Sequence, residues 1–477
     1  MPLTLEFILE SITGQPVAGS TPVGEVVIDS RKVTPGGVFV ALKGEHADGH
    51  QFVGDALARG AAAALIERPV EAPCPTLDLR TSASGVALEP PLPTPVCIRV
   101  DDSALALQEA ARQWVRRHPT RTVGVTGSVG KSTVKEVIAG VLARRYRVLK
   151  SEGSYNNELG IPMTVLRLDG SHQRMVLEMS MYTRGEIALL TGIAPPQVGV
   201  VTLVAPVHLS RAGTLENILR AKTELVEALP PDGVAILNRD DERVMTMVNK
   251  TQARILTYGL HPEADFRADQ VEGLGLDGVR FWLHHADTHL QLHLPMLGRH
   301  SVYTALAAAA VGTVEGLSWE EVGEGLRSSK NQLRLIVVAG PRGSTVLDDT
   351  YNASPTSVLA ALDLLADLDR GRRVAVLGDM LELGSYEEEG HARVGARAGA
   401  VADLLVTVGE RARIIAREAI RAGLPGAAVC SFDSAEDATG FLLEAIQPGD
   451  AVLVKGSRAV GMERIVRRLQ EEAGREE

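Results

Sequence analysis

Apolar residues along this chain fall into two rhythms. Short continuous runs closed by glycine, proline or aspartate read as buried strands, and longer stretches with apolar positions three and four apart read as helices packed on one face. Residues 1–98 give short strands at Glu25–Asp29, Gly37–Leu42 and Ala61–Ile66, separated by Gly/Pro turns. Glu89-Pro-Pro-Leu-Pro-Thr-Pro95 reads as an exposed insertion or loop. Over residues 99–329 the pattern alternates: strand 122–125, helix 131–144, strand 174–179, helix 185–192, strand 197–203, helix 215–228, strand 233–237. Residues 265–295 then change to two-fold alternation (Val279, Phe281, Leu283; Leu290, Leu292, Leu294), which predicts a small antiparallel appendage. Helices 301–315 and 319–328 follow, with Ala305–Val311 as a buried segment. From 330 to 477 strands at 344–348, 373–377, 403–408, 427–431 and 450–454 alternate with helices at 355–367, 386–400, 411–422 and 435–446.

This order predicts an α/β chain of three domains. A small α/β N-terminal domain spans 1–98, a central P-loop-type parallel-sheet ATPase domain 99–329, and a C-terminal Rossmann-like doubly wound domain 330–477. The formal charge of −11 argues against a nucleic-acid partner held on a basic surface. No apolar run is long enough to span a bilayer, and the first residues, interrupted by Glu6 and Glu10, do not read as a signal peptide. Cys74, Cys97 and Cys430 show no metal spacing and are odd in number, which fits a reducing cytoplasm.

The most informative stretch is Gly124-Val-Thr-Gly127-Ser128-Val-Gly130-Lys131-Ser132-Thr133, between a predicted strand and a predicted helix. Such a turn aims backbone N–H groups and a helix N-terminus at one point, which suits a polyphosphate. Lys131 is placed to neutralise the β- and γ-phosphates, and the Ser132 hydroxyl to reach Mg²⁺. Five residues separate Gly124 from Gly130, one more than the general pattern, so the working unit is Thr126–Ser132. Glu178 ends an apolar strand and is placed to reach a metal at Ser132, or is an ordinary strand-end carboxylate. His208 follows the next strand and can hold a second cation, orient a phosphate or be structural. Lys222 lies on a helix, where spacing alone makes it a solvated lysine. Asp349 ends a strand and serves either a nucleotide or a turn before the helix at Pro355. Lys455-Gly-Ser-Arg458 and Arg31 offer positive charge to an anionic substrate.

Taken together, these segments resemble the Mur ligases, the ATP-dependent amide-forming family of peptidoglycan assembly. Asp29-Ser30-Arg31-Lys-Val-Thr-Pro-Gly36 through Gly44 is similar to the family's UDP-sugar-binding domain, and Thr126–Thr133 to its ATP loop. Ser154-Tyr-Asn156-Asn157-Glu-Leu-Gly-Ile-Pro-Met-Thr-Val-Leu166 resembles the segment of the member that adds D-alanyl-D-alanine. Asn238-Arg-Asp240-Asp241, Asp349-Thr-Tyr351-Asn352, Leu377-Gly-Asp379-Met-Leu-Glu-Leu383-Gly and Lys455–Arg458 agree. The resemblance implies a ligase joining D-alanyl-D-alanine to UDP-N-acetylmuramoyl-tripeptide through an acyl phosphate, with ATP and two Mg²⁺ ions, acting as a monomer on these small molecules.

The same resemblance assigns residues. Gly127, Ser128, Gly130, Lys131, Ser132, Thr133, Arg334 and Asp349 bind the nucleotide. Ser132, Glu178, His208 and Lys222 belong to the metal site, with Lys222 matching a lysine that several members carbamylate. Lys131, Glu178, His208 and Lys222 are catalytic, and Ser30, Arg31, Asn156, Asn157, Tyr351, Asn352 and Lys455 bind substrate. One segment departs from the family: its His-Asn-x-x-Asn is His300-Ser301-Val302-Tyr303-Thr304 here, which predicts altered adenine recognition. That change leaves open a paralogous ligase with another amino acid or carboxylate. A nucleotide-binding scaffold without catalysis is the remaining alternative.

Overall fold

The computed structural model describes residues 2–44, 47–80, 92–328, 335–369 and 371–476. They form two compact units. The first holds residues 1–124, 146–181 and 185–197; the second holds 125–145, 182–184 and 198–477.

In the first unit, five strands pair in parallel in the order β1-β2-β3-β5-β4: Val26–Val27 (β1), Val38–Val40 (β2), Ala63–Ile66 (β3), Thr76–Asp78 (β4) and Val96–Arg99 (β5). Part of the Pro-rich segment, residues 89–91, lies outside the described residues. Of its described part, Pro93, Thr94 and Pro95 are exposed loop, as expected, while the neighbouring Leu92 is buried. This unit also holds helices that the sequence pattern does not predict, among them Leu5–Thr13 and Ser103–Arg117. Trp114 on the second meets Phe7 on the first edge-on at 4.7 Å, and its indole N–H donates to the Leu168 carbonyl at 2.9 Å. That bond satisfies the one polar atom of a buried ring. Arg121–Thr126 (β6) carries the chain from the first unit into the second. Val148–Lys150 (β7) pairs in parallel with Arg174–Glu178 (β8), also in the first unit. The sulfurs of Cys74 and Cys97 lie 3.3 Å apart as free thiols.

In the second unit, Val198–Val201 (β9), Val234–Asn238 (β10) and Arg254–Gly259 (β11) are parallel neighbours. Phe266–Gly273 (β12) adds in parallel, and Val279–His285 (β13) and Thr288–Leu294 (β14) fold back antiparallel. The predicted appendage is thus present, and its register sets Val279, Phe281 and Leu283 opposite Leu294, Leu292 and Leu290.

The C-terminal sheet orders its strands β15-β16-β20-β17-β18-β19: Ile336–Ala339 (β15), Thr345–Asp348 (β16), Arg373–Gly378 (β17), Leu404–Val408 (β18), Val429–Phe432 (β19) and Ala451–Lys455 (β20). Only β15 is antiparallel. Successive side chains of a strand point to opposite faces. Leu347, Ala375, Leu377, Leu405 and Leu453 therefore pack with the helices Pro355–Asp367, Glu387–Val401 and Ala412–Arg421 on one face. Val346, Val374, Val376, Val406 and Val454 pack with Ala435–Ala445 and Glu463–Glu476 on the other. This is the doubly wound arrangement read from the sequence.

Candidate active site

β6 ends in the Gly-rich turn, and the turn opens the helix Lys131–Leu142. Two residues need glycine. Gly130 has φ 86° and precedes the helix, while Gly127 has φ 144° and a Cβ there would meet Thr202 Oγ1 at 1.8 Å. The segment after β9 clamps the turn. Thr202 Oγ1 donates to the Val129 carbonyl at 2.7 Å, and Ser128 N–H donates to Leu203 O at 2.7 Å. Ser128 Oγ donates to Ala205 O and accepts from Ala205 N–H, both at 2.9 Å. The Ser128 side chain therefore holds the turn's shape. Ser132 is buried in the first turn of the helix.

Two lysines converge on the turn. Lys131 Nζ donates to the Gly127 carbonyl at 3.0 Å and Lys222 Nζ to the same oxygen at 2.9 Å. Lys222 is only 2 % exposed, which corrects the expectation of a solvated helical lysine. Burial lowers its pKa well below that of an ordinary lysine, and the Lys131 ammonium adds to the fall. The neutral amine is thus easier to reach than for a lysine in water.

His208 caps the short helix Leu209–Ala212 at φ 54°. Its Nδ1 is hydrogen-bonded to Glu382 Oε2, and the Tyr182 ring meets it edge-on at 5.1 Å. Burial lowers its pKa, against the pull of Glu382 in the other direction. Glu382 lies in the Asp379-Met-Leu-Glu382 motif, where nothing in the local sequence links it to His208. Arg334 lies outside the described residues.

Asp349 and Lys455 meet because β16 and β20 are neighbours, with Asp348 beside Val454. Lys455 Nζ lies 2.6 Å from Asp349 Oδ2 and donates to Asn352 O at 2.8 Å. Lys455 is 2 % exposed, so this lysine braces the turn that carries Tyr351 and Asn352. Asn352 Oδ1 accepts from Ala353 N–H at 2.9 Å. Tyr351 is exposed, with the Arg458 guanidinium 5.6 Å from its ring centre. In the departing segment, Ser301 Oγ donates to Leu297 O at 2.7 Å, Thr304 is buried, and Tyr303 donates its hydroxyl to Asp240 Oδ2 at 2.8 Å.

The first unit carries the remaining residues. Glu178 is 1 % exposed at the end of β8. Its Oε1 accepts from Asn156 Nδ2 at 2.9 Å, and its N–H donates to Ser151 Oγ at 3.0 Å. Oε2 is buried with no hydrogen-bond partner among the described residues. An orphaned carboxylate oxygen is costly, and it is a donor of the hard type that Mg²⁺ prefers. Among the described residues no group of three or more His, Cys, Asp or Glu is arranged to hold a metal. A Mg²⁺ ion here would rely on few protein oxygens plus phosphate and water, which is its usual habit. Asn157 Oδ1 accepts from Gly160 N–H at 2.9 Å, opening the helix Gly160–Val165. Ser30 is buried, while Arg31 is exposed and forked onto Asp29 at 2.9 Å. Lys32, which carries no motif signal of its own, donates to the Tyr155 hydroxyl at 3.3 Å and so joins the Ser30–Arg31 turn to the Asn156 loop. No described helix is long and apolar enough to cross a membrane.

Comparison with known proteins bears on the family and the fold. Models of the Mur ligase family catalytic domain, the Mur ligase middle domain and the Mur ligase glutamate ligase domain match residues 22–114, 125–312 and 333–458. UDP-N-acetylmuramoyl-tripeptide–D-alanyl-D-alanine ligase of Synechocystis is 36% identical, over 98% of this chain and 95% of the relative. The enzymes of the same name from Bacillus subtilis and Escherichia coli are 35% and 34% identical, each over 98% of both chains. Among solved structures, MurF from Acinetobacter baumannii superposes with a TM-score of 0.83 at 30% identity, covering 99% of both chains. MurF from Thermotoga maritima in complex with ADP gives 0.78 at 27% identity, over 95% of this chain and 98% of that one.

Proposed function

Since the chain belongs to the Mur ligase family, we propose that it is an ATP-dependent ligase that joins D-alanyl-D-alanine to UDP-N-acetylmuramoyl-tripeptide. The reading rests on full-length similarity to ligases named for that reaction, together with a phosphate turn whose lysine and hydroxyl are intact. The tripeptide carboxylate attacks the γ-phosphorus of ATP, ADP leaves, and an acyl phosphate forms. The dipeptide amine attacks the acyl carbon, the tetrahedral adduct expels phosphate, and an amide results.

This chain's residues bind and position rather than react. The N–H groups at the start of the Lys131–Leu142 helix and the Lys131 ammonium hold the phosphates and spread their charge. Ser132 in the second unit and Glu178 Oε2 in the first are each an oxygen of the kind that Mg²⁺ takes, and His208 and Lys222, both in the second unit, would serve a further ion. Bound there, Mg²⁺ would offset charge on the transferring phosphoryl group. The neutral Lys222 amine is the form able to take up CO₂; loss of one proton then leaves a carbamate anion suited to a cation. Ser30, Arg31, Asn156 and Asn157 serve the UDP-tripeptide, and Tyr351, Asn352 and the turn braced by Lys455 serve the dipeptide. The site serves soluble small molecules in the cytoplasm.

A Lys131→Ala variant tests the phosphate site. Phosphate release should fall about a hundredfold or more, as for loss of a preorganised charge-stabilising donor. Unchanged release in that variant would remove the site.

A further inference from the structure

Glu382 and His208 face each other from two loops of the second unit, and both are non-glycine residues at positive φ, 63° and 54°. Each such conformation is strained for a residue with a Cβ and persists only where its surroundings over-determine it. Several contacts do so here. His208 Nδ1 is bonded to Glu382 Oε2, and Ser210 N–H donates to the Glu382 carbonyl at 3.3 Å. Two residues on, a Cβ added to Gly384 would lie 3.3 Å from the Leu209 carbonyl carbon and 3.4 Å from Ser210 N, so the backbones of the two loops run close together. Tyr386 then packs on the cluster of Val201, Val204, Leu209 and Ala212. On the other side, Tyr182 sits against the imidazole and the Arg211 guanidinium covers Tyr182 at 4.4 Å.

An ionised carboxylate accepts hydrogen bonds and donates none, so the proton of this pair belongs on Nδ1. A neutral imidazole held that way has its lone pair on Nε2, as in the carboxylate–histidine–metal arrangement. We infer that Glu382 is a positioning residue for His208: it holds the imidazole in its Nδ1–H form, with Nε2 as the basic nitrogen, for as long as the 380–386 loop is docked on the 208–212 turn. The C-terminal sheet, through the loop that follows β17, thereby prepares a residue of the nucleotide side. This rests on the role given to His208 above, and Glu382 itself touches no reacting group.

The test reads the tautomer directly. Histidine-labelled protein, without metal or nucleotide, is measured by ¹⁵N NMR, with the His208 signal assigned by its loss in His208→Asn. Wild type and Glu382→Gln, whose amide oxygen still accepts, should show Nδ1–H. Glu382→Ala should show the Nε2–H form that free imidazole side chains favour. In turnover, Glu382→Ala should lower kcat about ten- to a hundredfold, leave both KM values within about threefold and leave the melting temperature near wild type. Glu382→Gln should recover most of the rate. An unchanged tautomer in Glu382→Ala, or a Glu382→Gln variant as slow as Glu382→Ala, overturns the inference. His208→Ala separates the two claims. Normal turnover in that variant overturns the role of His208. Its inactivity, with wild-type tautomer and rate in Glu382→Ala, overturns the role of Glu382 alone.

Discussion

Lys222 combines a proposed role at the site with a cost to stability. Its helix buries Ile218, Ala221, Leu225 and Val226. Lys222 lies four residues after Ile218 and three before Leu225, so it sits on the apolar stripe. Its amine is carried into the core and tied to the Gly127 carbonyl. Lys222→Met should therefore remove turnover, by about a hundredfold or more, yet raise stability by about 1 kcal/mol or more, since an apolar side chain replaces a buried charge-bearing one. The pH dependence follows from the lowered pKa. Between that value and the ordinary 10.5 the unfolded chain binds more protons than the folded one, so wild-type stability rises with pH through this window. The advantage of the methionine variant should be greatest at low pH and shrink toward 10.5. Thermal melts across pH, paired with phosphate-release assays, check both halves. A variant less stable than wild type at neutral pH would contradict the account. The stripe position was visible in the sequence; that the lysine would stay on it and be buried was not, because most helical lysines turn their ammonium out to water.

At the scale of elements, the phosphate turn depends on one close approach. Gly127→Ala places a methyl against Thr202 Oγ1 and forces φ 144° on a residue with a Cβ. The variant should lose about 2–4 kcal/mol, from backbone strain plus the Thr202–Val129 hydrogen bond, and should bind ATP weakly. Adding Thr202→Ala should return part of the stability by removing the clash while the strain remains; denaturant melts of both variants measure it. The strands and helices of the second unit were legible because parallel strands carry continuous apolar runs between helical stretches. Leu5–Thr13 and Ser103–Arg117 were not read. The first is only nine residues long, and Glu6 and Glu10 interrupt its apolar run. The second carries its stripe largely on alanines, Ala106, Ala110 and Ala111, although Asp102 caps it and Trp114 ends it. The ion pair of Lys455 with Asp349 was hidden for another reason. Spacing along the chain says nothing of which strands become neighbours, and only the sheet order brings β16 beside β20.

For the whole molecule, the alternation of strands and helices supported a three-domain α/β reading, and the phosphate turn was legible as a compact motif. The contacts of Asn156, His208 and Glu178 are made to partners far along the chain, such as Glu382 for His208, and local pattern does not carry those. The central claim concerns the reaction, and one assay reaches it most directly. Phosphate release is followed with ATP, Mg²⁺ and UDP-N-acetylmuramoyl-tripeptide, with and without D-alanyl-D-alanine, and the product is weighed by mass spectrometry. The account predicts release that depends on the dipeptide and a product heavier than the tripeptide substrate by the dipeptide less one water. Release that ignores the dipeptide, or that yields a product only with a different amine, would contradict it.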